Sequence, residues 1–263
     1  MTPTLHLRDH LLREWRHAPR RGPLVMALVG IACVAFDHLV LPLFPARAID
    51  FMQRGFRLDD LAGVLVLNDL MAVYFPTFFV GLASSLGVVL LAREEHRLEL
   101  LLAKPIRASD FVAARTLPVL AWTALVGVTI SSASGIAVAL HADVGTSVSP
   151  VGALGAGLAL TALAILSIAA LQIPFVRMRD PLMGLLVASA LWLVTMIPTA
   201  VLLYRPDLYE GRDALAETIV LPSLLWHGPT MAWLGPLLLA AALPIAATLA
   251  RAAGSLLERT DVM

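Results

Sequence analysis

The sequence predicts an all-α integral membrane protein: six transmembrane helices, an amphipathic helix before the first, and one charged loop between the second and third. Three observations carry this reading. Of 263 residues, 59% are hydrophobic and only 14% are charged, whereas soluble domains carry about a quarter charged residues. The mean hydropathy is +0.84. Six stretches also reach the ~20 predominantly apolar residues that span about 30 Å of hydrocarbon: 24–44, 70–92, 116–140, 151–176, 181–204 and 231–250.

The first stretch is too long, and too soon followed by others, to be a cleaved signal peptide. A single transmembrane domain is expected, with residues 1–23 as an interfacial elbow, 24–250 as the bundle and 251–263 as a tail. Basic residues favour the cytoplasmic side. Arg8, Arg13, Arg16, Arg20, Arg21, Arg93, Arg97, Lys104, Arg107, Arg115, Arg177, Arg179, Arg251 and Arg259 fall on one side of this layout. Only Arg47, Arg54, Arg57, Arg205 and Arg212 fall on the other. Both termini and the charged loop are therefore expected in the cytoplasm, in a plasma membrane of the bacterial inner-membrane type.

Segment 5–21 places Leu7, Leu11 and Trp15 at i, i+4, i+8, with Arg8, Arg13, Arg16 and His17 on the remaining surface. Such a helix lies flat at the membrane interface, its arginines toward headgroups or a partner. His6 and His10 share the i, i+4 spacing of a metal pair but lack a third ligand, and no metal is expected. Cys33 is the single cysteine and sits in an apolar run, so it reads as a packing thiol.

The loop from 93 to 115 holds the chain's densest charge. Leu98, Leu101 and Leu102 form an i, i+3, i+4 stripe, while Glu94, Glu95, Arg97 and Glu99 supply charge, which predicts a short amphipathic helix. Pro105 ends it, and Ser109 is placed to cap the next helix with Asp110 in its first turn.

This pattern resembles the hallmark of the ABC type-2 transporter permease family. The family reads Glu-x-Glu-x-Gly-Thr-Leu-Glu-x-Leu-Leu-x-x-Pro, then a hydrophobic residue, an acidic position and a Gly-Lys near the third span. Glu95, Leu98, Glu99, Leu101, Leu102, Pro105, Ile106, Asp110 and Arg115 fall in register; His96 and Arg97 replace Gly-Thr, and Ala114 replaces the second glycine. The resemblance implies an exporter's membrane subunit. Its coupling helix, formed by Glu94, Glu95, Arg97, Leu98, Glu99, Leu101, Leu102, Lys104 and Pro105, would dock a cytosolic ABC ATPase. The partners so implied are that ATPase, a second copy of this chain or a homologous permease, and membrane lipids. The cargo would be a lipid, an amphiphilic drug, a peptide or a similar molecule.

ATP and Mg belong on the partner, because a P-loop needs Gly-Lys-Ser/Thr and the only lysine, Lys104, follows Ala103. This chain is expected to bind no cofactor. It has neither a His-Glu-x-x-His zinc motif nor a Gly-x-Ser-x-Gly elbow, so no catalytic residue is assigned. Nucleic acid is not an expected partner, since the basic residues follow topology and form no aromatic-interleaved groove.

Within the spans, Asp37 lies roughly 20 Å into the hydrocarbon, where an unpaired charge is costly. Asp37 and His38 read either as a polar point on a substrate route or as a hydrogen-bonded packing pair. Asp69 is a third candidate, counted about a turn outside the second span and solvated there. Two rivals to the exporter follow: a proton-coupled secondary transporter using Asp37 and His38, and a membrane-embedded enzyme with dispersed catalytic groups. Gly127, Ser131 and Gly135 form a small-residue stripe for close helix packing.

Overall fold

The computed structural model describes residues 7–18, 20–95, 107–141, 147–210 and 220–260. Among these the chain is helical, with turns and no strand. The helices are α1 (Leu7–His17), α2 (Arg21–Val40), α3 (Ala46–Phe56), α4 (Leu61–Leu86), α5 (Leu90–Glu94), α6 (Ala108–Leu140), α7 (Pro150–Phe175), α8 (Pro181–Tyr204), α9 (Val220–Trp226) and α10 (Gly228–Thr260). Short 3₁₀ turns occupy Leu41–Leu43 and Pro206–Tyr209.

Among the described residues, five helical stretches are long and apolar enough to cross a membrane. The remaining expected span, α8, bends by 40° between Pro181–Leu191 and Met196–Tyr204, and counting it as one crossing gives six. Pro198 explains the bend: its ring clashes with the preceding turn and removes one helical hydrogen bond.

Several helices outrun the apolar stretches that predict them. α4 starts at Leu61, nine residues before the expected boundary, because the Asp60 carboxylate accepts the Gly63 N–H at 3.0 Å and caps the helix there. The same carboxylate accepts the Ser147 N–H at 2.9 Å and the Ser147 hydroxyl, which ties the start of α4 to the approach to α7. α7 has its own cap, Ser149, which accepts the Gly152 N–H at 3.0 Å.

Ser109 does not cap α6. The helix begins at Ala108, two residues earlier than that cap implies, and Glu258 of α10 accepts the Ala108 N–H at 2.9 Å, so the carboxylate for that orphan donor comes from across the bundle. The leucine stripe of the expected loop helix lies outside the described residues, which reach only its approach. α4 gives way to a turn over residues 87–89, and α5 carries Arg93 in its last turn.

α7 forms the centre, packed against α10, α6 and α4; α2 lies mainly against α4 and α6, and α8 stands at the edge with lighter contacts. The main core joins Val66, Leu70, Val73, Ile130, Ala153 and Leu160. Its closest approach is glycine-mediated: a Cβ on Gly155 would overlap the Met231 backbone, and one on Gly235 would overlap Gly155. The Gly127–Ser131–Gly135 stripe is intrachain too. Gly127 meets Thr161 of α7, and Gly135 meets Pro150 and Leu154.

The bundle has two distinct ends. At the basal end lie α1, the foot of the charged loop, the α7–α8 turn and the last turns of α10. The distal end carries α3, the Pro206–Tyr209 turn and α9. There the Trp226 indole N–H donates to the Phe56 carbonyl at 3.0 Å. Arg57 ends α3 in the left-handed region (φ 54°), and its guanidinium donates to the Tyr209 carbonyl at 3.4 Å. Arg205 forks onto Asp207 at 2.9 and 2.8 Å, and this hydrogen bonding holds the Asp207 carboxyl below its ordinary value. Both groups are exposed, so the pair adds little stability.

Candidate functional site

The basal end is organised by two arginines at the foot of the charged loop. The last carbonyls of any helix lack intrahelical donors and carry the negative end of its dipole. Arg93 supplies such a donor at the C-cap of α7 and another to the turn beyond it. Both terminal nitrogens donate to the Val176 carbonyl at 3.1 Å, and one reaches the Met178 carbonyl at 2.6 Å.

Arg115, two turns into α6, donates to the Val88 carbonyl in the α4–α5 turn at 3.0 Å. Its Nε lies 3.7 Å from the Glu14 carboxylate of α1, and the guanidinium sits 5.6 Å from the Phe111 ring centroid. α1 is further fixed by Trp15, which stacks on Trp122 of α6 with centroids 6.1 Å apart. A cavity of about 370 Å³ opens between these elements, lined by Glu14, His17, Ser84, Gly87, Arg115 and Pro118 among others.

Of the residues expected to couple to an ATPase, Glu94 and Glu95 are described, and both are exposed just beyond Arg93. Arg97, Leu98, Glu99, Leu101, Leu102, Lys104 and Pro105 lie outside the described residues. The segment they belong to is bracketed by the two arginines. Arg93 joins it to the end of α7, and Arg115 joins it to α1 and the end of α4.

The second polar centre lies toward the distal end. Asp69 is fully buried and His38 is 4% exposed. Asp69 Oδ2 accepts the His38 Nε2–H at 3.0 Å and the Ser134 hydroxyl at 2.6 Å, joining α2, α4 and α6 at one carboxylate oxygen. The His141 ring lies 5.2 Å from the His38 ring, tilted by 47°. His141 Nδ1–H donates to the Ala137 carbonyl at 3.1 Å, leaving Nε2 as the ring's accepting nitrogen. Among the described residues, His38 Nδ1 and Asp69 Oδ1 are buried without a hydrogen-bond partner.

This corrects two sequence expectations. Asp69 is not solvated beyond the second span; α4 starts at Asp60, so Asp69 sits about 13 Å along it, inside the bundle. Nor does His38 pair with Asp37, because neighbours on a helix do not face each other. Asp37 instead lines a groove of about 520 Å³ between α2 and α4, with Cys33, Asn68, Met71 and Phe75, and Cys33, expected as a packing thiol, is exposed there. Sequence reasoning passed over Ser134 and His141. Their i, i+7 spacing puts both on one face of α6, but a serine in a small-residue run carries no charge to mark it.

No protein family model, characterised protein or solved structure matches the chain.

Proposed function

We propose that this chain is the membrane subunit of an ATP-driven exporter of the ABC type-2 kind, working with a cytosolic ATPase and a second permease copy or homologue. The observation that carries the reading is the pair of arginines at the foot of the charged loop. A loop docked on a moving partner can drive helices only when its ends are fastened to them. Arg93 fastens one end to the C-cap of α7 and the turn just beyond it, and Arg115 fastens the other to α1 and the α4–α5 turn.

The chemistry of the loop suits docking. Leu98, Leu101 and Leu102 offer an apolar anchor, and Glu94, Glu95, Arg97 and Glu99 offer charge for register. ATP and Mg are held by the partner, whose closure pushes the loop and tilts α4 and α6 as levers. Cargo moves between two copies of the bundle; the apolar faces of α2 and α8 suit a lipid or amphiphile. Both termini face the cytoplasm, and α1 lies along the inner interface.

Replacing Leu101 and Leu102 together by aspartate tests the docking surface. Affinity-purified wild-type protein is expected to bring down a P-loop ATPase from its host, identified by mass spectrometry, and the double variant to lose it at equal membrane insertion. A partner retained equally by both proteins would refute this docking surface.

A further inference from the structure

We propose that the groove between α2 and α4 binds lipophilic organic cations, with the Asp37 carboxylate as counterion and the Asn68 side-chain carbonyl as a second acceptor. The site gives the proposed exporter a cargo class, and in that role it rests on the exporter reading. Binding itself needs no ATPase, so a failure of this site and a failure of loop docking are told apart.

The walls of the groove are apolar. Met26 and Val29 of α2 and Met71, Phe75 and Phe79 of α4 line its volume of about 520 Å³, within the range of sites for drug-sized molecules. Val29, Phe75 and Phe79 are exposed, so the groove opens sideways between two helices long and apolar enough to span a membrane. Aromatic faces and thioethers are polarisable surfaces that favour a diffuse cation.

The polar groups in this apolar setting share one sign. Asp37 is partly exposed at the groove, and among the described residues no lysine or arginine pairs with it. Asn68 faces it from α4. Its side-chain N–H donates to the Val64 carbonyl at 3.0 Å, a bond that only the nitrogen can make, so the amide oxygen is the atom left to accept. The groove therefore offers a carboxylate and a carbonyl oxygen, with no donor stronger than the Cys33 thiol.

The charges packed around Asp37 point the same way. α2 has no lysine or arginine after Arg21, α4 has none, and the one arginine of α6, Arg115, is engaged at the basal end. Asp69 repels the Asp37 charge; His38 offsets part of it, but is itself hydrogen-bonded to Asp69. Ser134 donates to Asp69 as well, and His141 lies against His38. Two carboxylates thus share one imidazole, and the one without a hydrogen-bonded partner is the one at the groove. A charge at membrane depth is costly until it is compensated. A guest with an apolar body and a positive charge supplies the compensation and covers the exposed rings, whereas an anion meets repulsion and a small hydrated cation leaves the rings uncovered.

Tetraphenylphosphonium is the test probe, because its charge is permanent and its surface is aromatic. Tetraphenylborate, of nearly the same shape and opposite charge, is the control. Purified protein in phosphatidylcholine nanodiscs at about pH 8, above the ordinary carboxylate range, is titrated with either radiolabelled ion, and empty nanodiscs give the background. Wild type is expected to bind the phosphonium saturably and the borate not at all. Asp37→Asn is expected to weaken phosphonium binding by at least about tenfold. Cys33→Trp fills the groove from an exposed position while keeping Asp37, and is expected to abolish binding. Melting temperatures establish that each variant is folded. The absence of saturable phosphonium binding by wild type overturns the proposal, including the case in which a second copy of the chain covers the groove. Equal binding of the two ions, or an affinity of Asp37→Asn equal to wild type, overturns it too. If Asp37→Asn does not fold, wild-type binding by Cys33→Trp overturns it instead.

Discussion

Asp69→Ala is expected to destabilise the protein by about 3–5 kcal/mol, the usual consequence of removing one partner from a buried ion or hydrogen-bond pair. The loss arises at a junction of three helices. Asp69 Oδ2 is the common acceptor for His38 of α2 and Ser134 of α6, so alanine strands a buried imidazole and a buried hydroxyl together. α2 suffers most, since it packs mainly on α4 and α6 and presents Leu24, Val25, Leu28, Phe36 and Leu39 outward. Replacing His38 and Asp69 together by leucine removes both polar groups and is expected to restore most of the lost stability. Thermal and denaturant unfolding of the single and double variants in one detergent measures both. A single variant within about 0.5 kcal/mol of wild type, the range of an ordinary surface substitution, would mean that the three helices are held without the bridge.

Arg93→Ala and Arg115→Ala are each expected to cut ATP-driven transport by about 5–150-fold, the range of typical coupling free energies between sites. Each removes the fastening of one end of the charged loop while leaving the loop's own side chains in place. ATPase binding is therefore expected to survive while cargo movement fails, the signature of an uncoupled lever. Lysine at either position keeps the charge but loses the planar fork, so Arg93→Lys should recover only part of the effect: Arg93 donates to two carbonyls from a rigid guanidinium. Transport and nucleotide turnover measured side by side in proteoliposomes separate these outcomes. Equal losses of ATPase binding and transport would place these arginines in folding of the loop instead of transmission.

The helical class and the apolar stretches were legible because hydrocarbon imposes a composition that no soluble helix needs. Helix ends were not, since they are fixed by polar caps outside those stretches: Asp60 begins α4 nine residues early, and a carboxylate from Glu258 starts α6 where Ser109 was expected to. That error in the start of α4 is why Asp69 read as solvated. His38 stood out as a charge-bearing residue in a span, but its partner lies 31 positions away, and only packing of α2 on α4 selects Asp69 over adjacent Asp37. Arg115 was visible through a family pattern alone. Its bonds to Val88 and Glu14 depend on how the α4–α5 turn and α1 come together at the basal end.

The central claim is that the charged loop touches an ATPase, and a site-specific cross-link tests it most directly. A photo-reactive residue at Glu94, exposed at the foot of the loop, is compared in native membranes with one at Tyr204, exposed at the opposite end. The account predicts a cross-link from position 94 to a protein carrying a P-loop, enhanced or weakened by nucleotide, and none from position 204. The contradicting result is no ATPase cross-linked from position 94, with the purified chain alone moving cargo across liposomes without nucleotide.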